Sequence, residues 1–437
     1  MKAGLKKATA KLILMFICAN AVSAAEIGSY YPAWSKANGF TLKQLEQSGV
    51  TDQFTYLNYA FENIYKMPDG TYRCNSGADV EDHDEGLGMR ATLDYAGRFD
   101  ALTAVNGSAD QEGQLLAGNF NQIRQIRVLH PQLKVLVSLG GWSWSRWFSA
   151  AAATPTLRQT LVASCIDLYI TGNLPLWKGY GGAGAAAGLF DGFDIDWEHP
   201  GLKGMSYNTV SKNDRRNYTL LLAEFRKQLD EASRQNGKQY YLTAAINGSR
   251  KNVVYTDPAS YVRYLNWINL MTYDFHGAWD NNGPASFQSN LFSDPVDPDP
   301  EKPSVDADIK RLLKAGVPSR KIVMGIPLYG RGWRGVNPDN NGLYQHAAGP
   351  AVPESGSEPG ADSYAHLSKK TLSKFYHPLT RQLWTYDNGT FWTFDDAQVV
   401  HEKVLYARKL KLGGMMSWSL DQDDAAFSLS KAMFELR

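Results

Sequence analysis

Eight short, nearly continuous apolar runs alternate with stretches of helical spacing, and that alternation narrows the fold more than any other feature of the chain. The runs are Glu26–Trp34, Gln53–Phe61, Leu133–Trp142, Leu189–Glu198, Gln239–Asn247, Trp267–Phe275, Lys321–Gly330 and Gly413–Trp418. A strand that is apolar along its whole length is buried on both faces, as in a parallel sheet wrapped by helices. Between the runs, Asn119–Leu129 carries Phe120, Ile123, Ile126 and Leu129 three residues apart. Helical spacing also marks Thr156–Tyr169, Arg216–Ser233, Val305–Leu313 and Ala397–Leu410. Pro155 and Pro258 suit helix starts, and His130-Pro131 suits a stop. Eight strands with helices between them predict an α/β fold, a (β/α)8 TIM barrel, and 437 residues suffice for one with insertions.

Two connections are too long for plain strand-to-helix loops. One runs from about Glu62 to Gly118 and carries an acidic stretch, Asp79 to Glu85. The other lies between the seventh and eighth strands and holds strand-like pieces, LWTYD and TFWTF. Residues 332–394 read as a small α+β insertion domain interrupting a barrel of residues 25–437. The glycine- and alanine-rich piece Gly179–Gly188 reads as a loop feeding the fourth strand.

A formal net charge of +1, with no run of Lys and Arg, argues against a nucleic-acid partner. Residues 1–24 have the three parts of a secretory signal peptide: Lys2, Lys6, Lys7 and Lys11, the apolar run Leu12–Ala19, and the small-residue site Val22-Ser23-Ala24. The expectation is a secreted protein, extracellular or periplasmic, with no membrane attachment after cleavage. Cys74 and Cys165 would then remain, and either a disulfide or a free buried Cys165 is consistent with the sequence. No CxxC, HExxH or histidine cluster points to a metal, and no cofactor is expected. The 12 Trp and 23 Tyr fit either a large core or a cleft for sugar rings, whose C–H faces pack on aromatic faces.

The chemistry concentrates in DGFDIDWE, residues 191–198. Alternate residues of a strand share a face, so Asp194, Asp196 and Glu198 point the same way at intervals of roughly 6.5–7 Å. Three carboxyls in line inside a barrel repel one another and resist ionising, which is a cost that favours function over structure. The ladder rises toward the C-terminal end of its strand, where barrel enzymes keep their sites. Its protons are coupled, and Glu198 at the top is the natural general acid.

DGFDIDWE resembles the DxxDxDxE signature of family 18 chitinases. Further pieces fit in order: Ser138-Leu139-Gly140-Gly141, Met271-Thr272-Tyr273-Asp274, Tyr329-Gly330-Arg331 and Trp418. The resemblance covers nearly the whole chain beyond residue 24. It implies hydrolysis of β-1,4-linked N-acetylglucosamine, with chitin or chitooligosaccharides as substrate and a monomer as the working unit. It implies Glu198 as acid and base, Asp196 and Asp194 as its catalytic partners, and Tyr273 holding the substrate's acetamido oxygen. It implies Trp418 flooring the central subsite with Tyr30 and Phe61 around it, and Trp34 stacking on the non-reducing side. Trp142 and Trp279 become platforms for the leaving group, and Met271, Asp274, Tyr329 and Arg331 line the pocket. Ser138 is expected to bond the lower acids. Two other readings share the fold: a chitin-binding lectin, and an endo-β-N-acetylglucosaminidase acting on N-glycans. The intact acid ladder separates the first from an enzyme; the long insertion and the many aromatic platforms favour a linear polymer over the second, and digesting both substrates side by side separates them.

Overall fold

The computed structural model describes residues 25–74, 91–354 and 358–437. The expected signal peptide and the acidic stretch from Asp79 to Glu85 lie outside the described residues. Eight parallel strands close a barrel: β1 (Glu26–Pro32), β2 (Tyr56–Glu62), β3 (Lys134–Gly140), β4 (Gly192–Asp196), β5 (Tyr241–Ile246), β6 (Trp267–Leu270), β7 (Ile322–Pro327) and β8 (Gly414–Trp418). Each strand pairs with its chain neighbour, and β8 returns to β1 with Gly414 opposite Glu26. The fold is the expected TIM barrel.

Alternation along the strands sorts the side chains. Tyr30, Tyr56, Ala60, Leu136, Trp267, Val323 and Met416 turn inward and fill the barrel as a separate apolar cluster. Their neighbours turn outward and join a larger core under the helices. The 23-residue helix Asp214–Asn236 shows the pattern, burying Tyr218, Leu221, Leu222, Phe225 and Leu229 before Gly237 ends it in a left-handed conformation. No helix among the described residues is long and apolar enough to cross a membrane.

Several strands stop short of the apolar runs that announced them. β1, β3, β4 and β6 end at Pro32, Gly140, Asp196 and Leu270, and the run's last residues leave the ladder at the barrel mouth. The seventh run divides. β7 ends at Pro327, and Tyr329–Arg334 is a separate strand of an antiparallel sheet. That sheet contains Gly349–Pro350, Ala361–Ser363, Lys374–Tyr376, Leu383–Asp387 and Thr390–Phe394. The insertion sheet therefore starts at Tyr329 rather than at 332, and Tyr329 and Arg331 stand on it, not on the barrel. Trp333, Trp384 and Phe391 anchor its own small core.

Cys74 and Cys165 form a disulfide with Cα atoms 5.1 Å apart, tying the long β2–β3 connection to the helix Pro155–Cys165. The bridge spans 91 residues of sequence, so it removes much freedom from the unfolded chain. Replacing both cysteines (Cys74→Ser with Cys165→Ala) is expected to cost about 2–5 kcal/mol of stability. Thermal and urea unfolding of the variant against the oxidised protein measure this.

Candidate active site

The carboxyl ladder stands on β4 and just beyond it. Asp194, at the bottom, is fully buried. It accepts four hydrogen bonds: from Tyr30 at 2.8 Å, Ser138 at 2.9 Å, Thr243 at 2.6 Å and the Asn269 amide at 2.9 Å. Burial raises its pKa, and these donors oppose the rise. Asp196 is also buried but differently served: its Oδ1 has no hydrogen-bond partner among the described residues. Burial, then Glu198, then Asp194 push its pKa well above the carboxylate range. Glu198 at the mouth is pushed up to about 8, by burial first and by Asp274 second. The ladder thus carries a proton or more at neutral pH, held mainly toward its upper end.

Loops from neighbouring strands fix the top of the ladder. Ser145, after the turn Gly141–Trp144, accepts the Glu198 N–H at 2.8 Å and donates to the Gly141 carbonyl at 2.8 Å. The turn needs glycine: Gly140 has φ of 105°, and a Cβ there would lie 2.2 Å from the Asp196 carbonyl oxygen. At Gly141 a Cβ would strike the Phe61 ring at 2.6 Å. Across the mouth, Asp274 has φ of 59° and accepts Arg331 Nε at 2.8 Å. Arg331 in turn holds Glu358 at 2.5 Å. Tyr273 is buried with its ring 6.2 Å from that of Tyr329. Burial first, and the charge of Asp196 second, keep its hydroxyl protonated.

An aromatic floor adjoins the acids. Phe61 and Trp418 stack at 5.3 Å with planes 19° apart, and Trp34 leans on both at 6.3 and 6.4 Å. Met271 and Trp418 both pack on the inward cluster. A depression of about 490 Å³ opens between Trp34, Phe61, Trp142, Trp144 and Trp418. Trp142 and Trp279 are 51% and 56% exposed, which is costly for indole unless something covers it. The Arg331 guanidinium backs the Trp279 ring at 5.1 Å. Tyr30, expected around the central subsite, is buried: its hydroxyl serves Asp194 and its ring meets Trp418 edge-on at 5.4 Å.

The profile described as glycosyl hydrolases family 18 matches residues 26–423. The chain belongs to this family. Among curated family relatives, chitinase A1 of Niallia circulans is 32% identical over 427 residues, covering 93% of this chain and 57% of its own length. Chitinase C of Streptomyces lividans is 31% identical, covering 91% and 57%. The family 18 chain therefore spans little more than half the length of these relatives. Among solved structures, the catalytic domain of psychrophilic chitinase B from Arthrobacter TAD20 superposes with a TM-score of 0.87 at 38% identity, covering 95% of each chain.

Some parts of this family 18 site escape a reading of motifs. Thr243 and Asn269 complete the cradle of Asp194, and Tyr56 orients Asn269 through a 2.6 Å hydrogen bond. A signal existed: each is a polar residue inside an apolar run, and Thr243 pairs directly with Asp194 across β4 and β5. Ser145, His199 and Glu358 lie on loops and Trp144 ends the four-residue helix Gly141–Trp144, where no strand or helix period is long enough to reveal which way a side chain points.

Proposed function

We propose that this chain is a chitinase that cleaves β-1,4 bonds between N-acetylglucosamine units with retention, using the substrate's own acetamido group as nucleophile. The observation that carries the reading is the contrast within the ladder. Asp194 is saturated with donors, while the buried Asp196 beside the protonated Glu198 keeps Oδ1 free. A buried carboxyl oxygen without a donor is expensive, and an acetamido N–H supplies one.

The chemistry follows in two steps. The acetamido oxygen attacks the anomeric carbon while Glu198 gives its proton to the glycosidic oxygen, and the leaving sugar departs. Asp196 accepts the acetamido N–H and, with the ladder's shared proton on Asp194, offsets the positive charge of the oxazolinium ion. Tyr273 donates to the acetamido oxygen, and Asp274 with Arg331 holds the bent sugar. Water then attacks from the vacated side, its proton goes to Glu198, and the product keeps its β configuration. Trp418 and Phe61 supply the floor, and Trp34, Trp142 and Trp279 the platforms beyond. One copy of the chain supplies every one of these residues, so a monomer suffices. The lysine-rich start and short apolar run of residues 1–24 support export.

The test is hydrolysis of a chitin hexamer, with products resolved by size and their anomers followed by NMR. Early β-anomeric oligomers are expected. An α-anomer sinks the acetamido route, binding without cleavage favours the lectin reading, and cleavage of a high-mannose glycoprotein alone favours the N-glycan enzyme.

The pH profile is a further expectation. Glu198 acts only while protonated, and its pKa is pushed up to about 8. The rate constant kcat/KM should therefore hold through neutrality and fall as pH rises through about 8, approaching tenfold per unit. Initial rates on a soluble oligomer between pH 5 and 10 measure the limb.

A further inference from the structure

The mechanism leaves one titratable side chain of the site unused. His199 follows Glu198, and its Nε2 lies 3.6 Å from Glu198 Oε2 with the ring 14% exposed. By distance the two resemble an ion pair, yet burial and the Lys251 ammonium hold the imidazole down at about 4 while Glu198 sits at about 8. Between those values both partners are uncharged. That is the unusual point. An imidazole of ordinary basicity beside a carboxyl of ordinary acidity would take its proton and form an ion pair.

The groups around the ring account for this. Lys251 comes from the short helix Arg250–Val253. Asp214, at the start of the long helix, is the carboxyl nearest the Pro200–Gly201 turn in the hydrogen-bond network. It is already engaged by Ser149 Oγ at 2.7 Å and by the Ser211 and Gly201 N–H groups at 2.8 and 3.3 Å. Tyr255 packs its ring against Gly201. Burial first, and the Lys251 charge second, thus set the state of the imidazole.

We propose that His199 is a positioning residue for the general acid: its neutral Nε2–H donates to Oε2 of Glu198, so that the proton resides on Oε1 and faces the glycosidic oxygen. Burial keeps the imidazole uncharged, and Lys251 reinforces it. The 3.6 Å gap tightens into a hydrogen bond when substrate closes the site, as catalytic contacts commonly do. His199 neither gains nor loses a proton; Glu198 gives one to the leaving oxygen and regains one from water. The inference rests on the reading of Glu198 as acid and extends it.

The test is the alkaline limb of kcat/KM on a chitin oligomer in four variants. His199→Phe keeps a ring and removes the donor. It should lower kcat about tenfold, the cost of one hydrogen bond to an ionising group, and move the limb upward. His199→Gln restores an N–H donor and should recover most of that loss, which a merely structural histidine would not require. Lys251→Glu removes the cation that adds to burial in holding the imidazole uncharged, and should move the limb downward. In His199→Phe/Lys251→Glu that downward shift should vanish. The sign discriminates, because a new carboxylate acting directly on Glu198 would raise its pKa. A limb unchanged in His199→Phe, or a downward shift that persists in the double variant, overturns the proposal. Retained turnover in Glu198→Gln would instead overturn the assignment of the acid, so the two failures are distinguishable.

Discussion

Replacing Glu198 by glutamine is expected to lower kcat on chitin oligomers by at least about 10³-fold while leaving oligomer affinity within a few-fold of the parent. Glutamine has the shape of the protonated acid and fills the same place against Ser145 and Asn208, whose contacts are to the Glu198 backbone. Packing and the aromatic floor should therefore survive. What is lost is the transferable proton in the first step and the base in the second, so both barriers rise. The measurement is steady-state hydrolysis with calorimetric binding of the same oligomer. Loss of binding along with turnover would assign Glu198 a structural role and remove it as the acid.

Asp196→Asn is expected to cost about 10²–10³-fold in kcat, the usual worth of one preorganised group facing developing charge. The buried carboxyl works through its charge and its acceptor oxygen. Asparagine keeps an acceptor but, in the proposed mechanism, offers no negative charge to the oxazolinium ion. It also presents two N–H donors where that mechanism docks an acetamido N–H. The loss should fall mainly on kcat, because the charge develops only in the transition state. A rate change confined to KM would place Asp196 in ground-state binding and leave the cation without its counter-charge. Because Asp196 also shares the ladder's proton, the variant's pH profile should differ in shape from the parent's.

Much of this was legible in the chain because its signals are periodic. β1 to β8 announced themselves as apolar runs, and the three acids as every second residue of one run. The register that brings Ser138 to Asp194 follows once β3 and β4 are neighbours. Less legible was anything set by how a strand ends. The run Lys321–Gly330 is continuous in composition, yet Leu328 hands the chain from barrel to insertion, because Tyr329–Arg334 finds antiparallel partners in Thr390–Phe394 and Ala361–Ser363. Tyr30 looked like a cleft residue from its place near the end of β1, and its depth depended on how far below the mouth that strand stops. The Cys74–Cys165 bridge was equally hidden, since it depends on where a long connection folds back.

The division of that seventh run has a consequence for how this enzyme family could be remodelled. By its sheet topology alone the insertion is a wall standing beside the barrel, a part to be exchanged for a taller or shorter one. Here its opening strand carries Arg331, which grips Asp274, which in turn bears on the proton of Glu198. A graft that swaps the wall at its obvious borders transplants one end of an electrical circuit whose other end stays in the barrel. Chimeras joined after Arg331 should keep the parent's acidity profile, and those joined before Tyr329 should shift it where the donor lacks an arginine to pair with Asp274.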